Sequence, residues 1–258
     1  MKYKAFVFDV DGTLTDMRTR KVIPSAAEAI GRLQEKGYLV ITATGRPVYF
    51  MDNVDAAGIR PDYYIASNGH LIADGEGKTV YQELFEPELY HEINEYCQEN
   101  NLGLFWKFPD CCYVYVDHPL MEKIAEGNKA FVYGYHPDEE ALPNSGALVG
   151  VEKDRQKFME RFAGRLECVD GGLMLFDINK LHVSKKNGLE YLLDKLGIRP
   201  EEIMAFGDSE NDIEMIDYAG LGVVMGDGFD VCKQHADYIA EETYNDGIMK
   251  ALKYFGIL

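Results

Sequence analysis

The 258-residue chain is short of positive charge: 26 lysines and arginines face 44 aspartates and glutamates, a formal net charge of −18. Nucleic acids and anionic membranes are first gripped by clustered basic side chains, so a partner of either kind is not expected. No apolar run approaches the ~20 residues that a membrane helix needs. Met1-Lys2-Tyr3-Lys4 leads straight into a strand-like segment with no small-residue cleavage site, so no signal peptide is expected. Cysteine is scarce and odd in number, five in all, which implies no disulfide framework and suits a reducing cytoplasm. No CxxC spacing links Cys97, Cys111, Cys112 and Cys168, so buried thiols are expected there rather than zinc. The histidines, His70, His91, His118, His136, His182 and His235, are scattered without ligand spacing. Repeats and low-complexity stretches are also missing. What is present is an ordinary globular composition, 47% hydrophobic, in a chain long enough to bury a sizeable core.

The apolar pattern has two styles. Tyr3 to Asp9 (YKAFVFD) and Tyr38 to Thr44 (YLVITAT) are short continuous apolar runs, the pattern of parallel strands buried on both faces. Ser25-Ala26-Ala27-Glu28 reads as a capping box opening a helix that stops at Gly37. A second helix is predicted from Pro47 to about Gly58, then a strand from Tyr63 to Ser67. Later, a helix over Lys185 to Leu196, a strand over Ile203 to Phe206, a helix over Asn211 to Ala219, a strand over Leu221 to Met225 and a helix capped by Asp246 repeat the style. This alternation predicts an α/β fold built on a Rossmann-like, doubly wound parallel sheet.

The middle differs. Helices are predicted at 87–100, 120–129 and 154–163, and strands at 102–107, 112–117, 147–151, 165–169 and 173–178. Paired neighbouring strands with helices on one face indicate an inserted α+β domain. The expected division is a core of residues 1–85 and 180–258, and an insert of residues 86–179.

Four segments carry chemistry. In Asp9-Val10-Asp11-Gly12-Thr13, two carboxylates two residues apart point to the same side of a strand end, where open α/β sheets bind ligands. Such close like charges call for a shared proton or a hard cation. The stretch from Asp11 to Pro24 is longer than the roughly 2–6 residues of a usual βα loop. Thr44-Gly45-Arg46-Pro47 ends a strand and opens a helix, a place where a hydroxyl and free N–H groups can cradle an anion. Ser184-Lys185-Lys186 puts cations at a helix start, against the macrodipole. Gly207-Asp208-Ser209-Glu210-Asn211-Asp212 sets an acid at another strand end. Each segment also has a plain reading as a turn, a surface lysine or a helix cap.

In order, FDVDGTL, ATGRP, VSKKNGL and GDSENDIEM resemble the four motifs of the haloacid dehalogenase superfamily of phosphohydrolases. The wording of the last, and the large insertion between the second and third, resemble the Cof-type subfamily with a type-IIB α/β cap. The resemblance covers the core, and the cap matches by position and pattern. It implies a phosphatase acting through an aspartyl-phosphate, with Asp9 as nucleophile and Asp11 as general acid and base. Mg2+ would be held by Asp9, the backbone carbonyl of Asp11 and Asp208, with Asp212 acting through a metal-bound water. Thr44, Gly45 and Asn211 would bind phosphate oxygens and Lys185 would offset their charge. Lys185 is preferred to Lys186 on the family's Ser-Lys order; a one-residue step turns a helical side chain by ~100°, so both should not share the task.

The implied substrate is a small phosphorylated metabolite, a sugar phosphate or pyridoxal phosphate. The cap is expected to close over the site. Its Trp106, Lys107, Tyr113, Tyr115 and Tyr133 are expected to be packing positions. Arg46 reads as a substrate contact or a cover for the helix start, and Asn68-Gly69 as a hairpin turn. Two alternatives stay open: a phosphosugar mutase, since related enzymes begin with similar FDVDGTLT strings, and a non-catalytic Mg2+-binding protein. The fourth motif has the hydrolase form. Oligomeric state is left open.

Overall fold

The structure is a computed structural model describing residues 2–125, 130–138, 140–171 and 174–258. In chain order the strands are β1 (Ala5–Phe8), β2 (Thr15–Asp16), β3 (Lys21–Val22), β4 (Leu39–Ala43), β5 (Tyr63–Ala66), β6 (Leu71–Asp74) and β7 (Thr79–Gln82). Then come β8 (Gly103–Lys107), β9 (Cys112–Val116), β10 (Phe131–Tyr133), β11 (Ser145–Val149), β12 (Leu166–Asp170) and β13 (Leu175–Lys180). The last are β14 (Ile203–Gly207), β15 (Leu221–Val224) and β16 (Tyr238–Ile239).

Two compact units emerge, Met1–Val80 with Ser184–Leu258, and Tyr81–Val183. The insert therefore begins before residue 86 and ends after residue 179. Phe85 is buried in the insert's core and its N–H donates to Pro143 O at 3.0 Å, and Lys180 pairs with both Glu83 and Glu86 at 2.7 Å, so both connecting segments are tied to the insert.

The core sheet runs β16-β15-β14-β1-β4-β5-β6-β7, parallel from β16 to β5 and turning antiparallel at the β5–β6 hairpin. β1 is buried along its whole length, as its unbroken apolar run requires in mid-sheet. Phe6 and Phe8 pack with Met204, Phe206 and Val223 under the helices Pro24–Glu35 and Gly247–Tyr254. The opposite face takes the helix Lys185–Leu196, whose Gly188 approaches Ile65 closely: a Cβ there would lie 2.8 Å from Ile65 Cγ2. Helices thus cover both faces, which is the doubly wound architecture.

The inserted unit is a six-stranded sheet, β10-β9-β8-β11-β13-β12, antiparallel except for the β9–β10 pair. The helices Pro87–Asn100 and Glu152–Arg161 share a core with Leu104, Trp106, Leu148, Ile178 and Cys168. Trp106 lies over Gly146 of the neighbouring strand, where a Cβ would sit 2.6 Å from the indole ring. Its Nε1 donates to Asn94 Oδ1 at 2.6 Å. Lys107 is buried and donates to Asp177 at 2.6 Å. Tyr113 is buried too, whereas Tyr133 is largely exposed. All five cysteines are buried and outside any disulfide.

Several local expectations need correction. The first helix starts at Pro24, with Ile23 before it and no side-chain cap; Pro fixes φ at the first helical position, and Ser25 instead donates to Asp246 at 2.6 Å. Asp246 accordingly makes no cap bond. The segment after Pro47 is a 3-10 turn, Val48–Phe50, followed by the short helix Asp52–Ala56. The segment from Asn211 likewise divides into a 3-10 turn, Glu210–Asp212, and the helix Ile213–Tyr218. The helix expected at 120–129 is described as Met121–Ala125, its remainder and residue 173 lying outside the described residues. β10 had no expectation, being only three residues long.

Phe8 and Phe206 stack at 4.9 Å between centroids in the middle of the sheet, both fully buried. Phe206→Ala is expected to cost about 3–5 kcal/mol, read as a lowered denaturant midpoint with the unfolding slope kept.

Candidate active site

β1 is flanked by β4 on one side and β14 on the other. Strand order reverses there, and the crevice outside the carboxyl ends at such a point is where open α/β sheets take ligands. Asp9 follows β1, Thr44 follows β4 and Asp208 follows β14. Parallel pairing of these strands carries three separate motifs to one edge of the sheet.

Asp9 and Asp208 are almost fully buried, and Asp212 completely so. Among the described residues these three acids offer oxygens all within 4.8 Å of one another. Glycine makes the approach possible. Gly12 has φ +89°, and a Cβ on it would lie 2.3 Å from Asp208 Oδ2; a Cβ on Gly207 would lie 2.6 Å from that of Asp212. Asp212 is a linchpin of the fourth motif: one oxygen accepts the N–H groups of Asp208 (3.0 Å) and Ser209 (3.2 Å), while the other accepts from Lys185.

Lys185 sits on the first turn of its helix behind the N-cap Ser184. Side chains tilt toward a helix's N-terminus, so its ammonium reaches past the helix end to Asp9 Oδ1 (2.6 Å), Asp212 Oδ1 (2.7 Å) and Asn211 Oδ1 (3.2 Å). Lys186 turns away and pairs with Glu190 near the surface. The helix is seated by Gly69, at φ +98°, where a Cβ would come within 2.1 Å of Ser184 O.

Thr44 is buried, and its hydroxyl accepts the Arg46 N–H at 3.1 Å, with Gly45 half-buried between them. Asn211 accepts from Ser209 Oγ at 2.9 Å and donates to Asn68 Oδ1 at 3.1 Å. Asn68 does occupy the β5–β6 turn, at φ 54°, but its side chain is buried at this site as well. Its left-handed conformation was legible from the Asn-Gly pair; its second task was not. Thr243 was missed outright. Its Oγ1 lies 2.8 Å from Gly12 O and 231 residues along the chain, a distance over which no local pattern speaks.

Arg46 reaches Asp11, and its Nη1 donates to Phe50 O at the end of the turn that follows Pro47. Its Nε and Nη2 donate to the two oxygens of Asp11 at 2.7 and 2.5 Å. The Asp11 carboxylate consequently stands outside the three-acid group.

Burial is the largest influence on Asp9; Lys185 opposes it, Asp212 and Asp11 reinforce it, and the carboxyl is pushed up to about 7. Burial, joined by the charges of Asp9 and Asp212, pushes Asp208 up to about 9. Burial alone would lower the Lys185 ammonium, but Asp212 and Asp9 more than offset it and hold its pKa above the ordinary value. One Asp9 oxygen, Oδ2, is buried with no hydrogen-bond partner. An all-oxygen donor set with excess negative charge and an unpartnered buried oxygen fits a hard divalent cation.

Without such a cation, folding takes up protons here. The folded carboxyls at about 7 and 9 hold protons that the unfolded ones, near 3.8, have released. Stability should therefore fall as pH rises from about 4 toward 9, the direction in which the folded state binds more protons than the unfolded. Melting temperature measured against pH in chelator should show this decline. Added Mg2+ should flatten it, and so should Asp208→Asn; a decline unchanged by both would contradict the coupling.

The sequence matches the haloacid dehalogenase-like hydrolase family over residues 6–252. A phosphoglycolate phosphatase of Methanoculleus marisnigri is 30% identical over 258 residues, 98% of this chain and 96% of that protein. A chloroplastic endoribonuclease of Arabidopsis thaliana is 29% identical over 279 residues, 97% of this chain, and the chain spans 46% of that protein's length. Among solved structures, the HAD subclass IIB sugar phosphatase BT4131 gives a TM-score of 0.88 at 26% identity, covering 99% of this chain and 100% of that one. No helix among the described residues is long and apolar enough to cross a membrane. Four motifs at one sheet edge and a match along nearly the whole sequence lead to one assignment: the chain belongs to the haloacid dehalogenase-like hydrolase family, in its Cof-type branch, and is an enzyme of the phosphatase class.

Proposed function

We propose that the chain is a Mg2+-dependent phosphatase that hydrolyses a small phosphorylated metabolite, of the sugar phosphate or pyridoxal phosphate class, through an aspartyl-phosphate on Asp9. The observation that carries this reading is the state of Asp9: buried at a strand end, one oxygen fixed by Lys185 and the other without a partner. A carboxylate so held is a preorganised nucleophile, and a covalent intermediate splits hydrolysis into two easier displacements.

Asp9, Asp208 and the backbone carbonyl of Asp11 would hold Mg2+, with Asp212, its oxygens taken by two N–H groups and Lys185, acting on it indirectly; when bound, the ion supplies positive charge beside the phosphoryl oxygens. The chain's own groups do the rest. Asp9 attacks phosphorus while the bond to the ester oxygen breaks, and Asp11 gives its proton to that departing oxygen. Asp11 then takes a proton from water as the water's oxygen joins phosphorus. The bond to Asp9 breaks, phosphate leaves and both carboxyls return to their starting states.

Thr44, Gly45 and Asn211 would hydrogen-bond the phosphoryl oxygens as negative charge grows on them. Asn68 and Ser209 fix the direction of the Asn211 amide, leaving an N–H for that purpose. Lys185 offsets the charge from within its carboxylate cage. A cytoplasmic location accords with five cysteines that form no disulfide.

The direct test is inorganic phosphate release across a panel of phosphorylated metabolites with Mg2+ present. Activity should vanish in chelator and return with the metal, and Asp9→Asn should lose on the order of 10³-fold or more in kcat. Normal turnover by Asp9→Asn would end the nucleophile assignment. Lys185→Ala should lose on the order of 10²-fold, whereas Lys186→Ala, losing only a surface pair with Glu190, should stay within about twofold.

A further inference from the structure

We infer that Arg46 is a positioning residue that aims the Asp11 carboxyl group, in its protonated form, for proton transfer to the leaving oxygen; the inference rests on the phosphoryl-transfer reading above. Asp11 needs such a device. Its side chain is 42% exposed, it precedes Gly12 at φ +89°, and an exposed aspartate on a loop otherwise samples several rotamers. A general acid must lie within hydrogen-bond reach of its target, and a misplacement of about 1 Å can cost 10²-fold.

The guanidinium meets that need as a planar fork. Nε and Nη2 grip both Asp11 oxygens, which fixes the carboxylate plane and leaves lone pairs on its far side for a proton. The fork is itself anchored. Nη1 donates to Phe50 O at 3.0 Å and to Asn53 Oδ1 at 2.8 Å, and Asn53 Nδ2 donates to Arg20 O at 3.3 Å, in the long loop after Asp11. The backbone at Arg46 is pinned too, its N–H by Thr44 Oγ1 and its carbonyl by the Ser67 N–H at 3.0 Å. Four of the five guanidinium N–H groups are thereby engaged, which leaves little with which to bind a phosphate and argues for a role exerted through Asp11.

The test exploits leaving-group chemistry. An alkoxide needs a proton to depart, whereas p-nitrophenolate leaves without one. Values of kcat/KM are measured for wild type, Asp11→Asn, Arg46→Met and Arg46→Lys on p-nitrophenyl phosphate and on the alkyl phosphate that wild type turns over fastest. This ratio reports only the steps through formation of the phosphoenzyme, so the later water attack does not enter. Arg46→Met should lose roughly tenfold more on the alkyl than on the aryl substrate, in the same sense as Asp11→Asn. Arg46→Lys should not restore the alkyl activity, because one ammonium cannot grip both oxygens.

Equal losses on both substrates, or full alkyl activity in Arg46→Lys, would overturn the inference. Should Arg46→Met not fold, Asn53→Ala, which removes one anchor and keeps the fork, is expected to show the same selective loss at smaller size; an unselective loss there also counts against it. A wild type that releases no phosphate from either probe would bring down the phosphatase reading itself, a result distinguishable from these.

Discussion

A lysine ammonium buried between two carboxylates organises this core. A charge taken so far out of water is tolerated only when it is paired and hydrogen-bonded, and Lys185 meets that condition with partners 176 and 27 residues away. The pairing binds the end of β1, the third helix start and the fourth motif into one unit. It also explains why a cation sits at a helix N-terminus against the macrodipole: the local cost is offset by two short contacts to acids. Remove the ammonium and the neighbouring acids would lose the charge that opposes their protonation. The close helix seating by Gly69 and Gly188 exists to bring that ammonium to the strand ends.

The parts of the structure legible in the sequence are those dictated by local periodicity and by strand-end chemistry. YKAFVFD and YLVITAT read as buried parallel strands because nothing polar interrupts them, and the fourfold motif order placed Asp9, Thr44, Lys185 and Asp208 at one edge. Helix ends were harder. Ser25 looked like a cap, yet Pro24 set the start and Asp246, far along the chain, claimed the hydroxyl. The long stretch after Pro47 broke in two, and β10 was too brief to show a period.

Side-chain partnerships across the sheet edge were the least legible. Asn68 fulfilled its turn signal and carried a second contact to Asn211 that no spacing announces. Arg46 could be placed at the site but not paired, since its partner lies on another strand's loop. Competition among tertiary contacts decides such pairings, and a linear reading contains only the candidates. In the insert the balance was similar: its alternation of helices and strands was readable, whereas the Trp106 ring lying over Gly146 needed the register of β8 against β11.

The bond between Thr243 and Gly12 has a bearing on how the protein is made. Chain growth delivers the Gly12 loop 231 residues before its hydroxyl clasp, and β1 also waits for β14 as a neighbour. The inserted unit, by contrast, is one uninterrupted stretch of polypeptide, free to acquire its own sheet during translation because domains fold as units. A growing chain on the ribosome would carry a complete insert while the Gly12 loop still lacked its clasp, so the order of synthesis sets the insert ahead of the loop's closure.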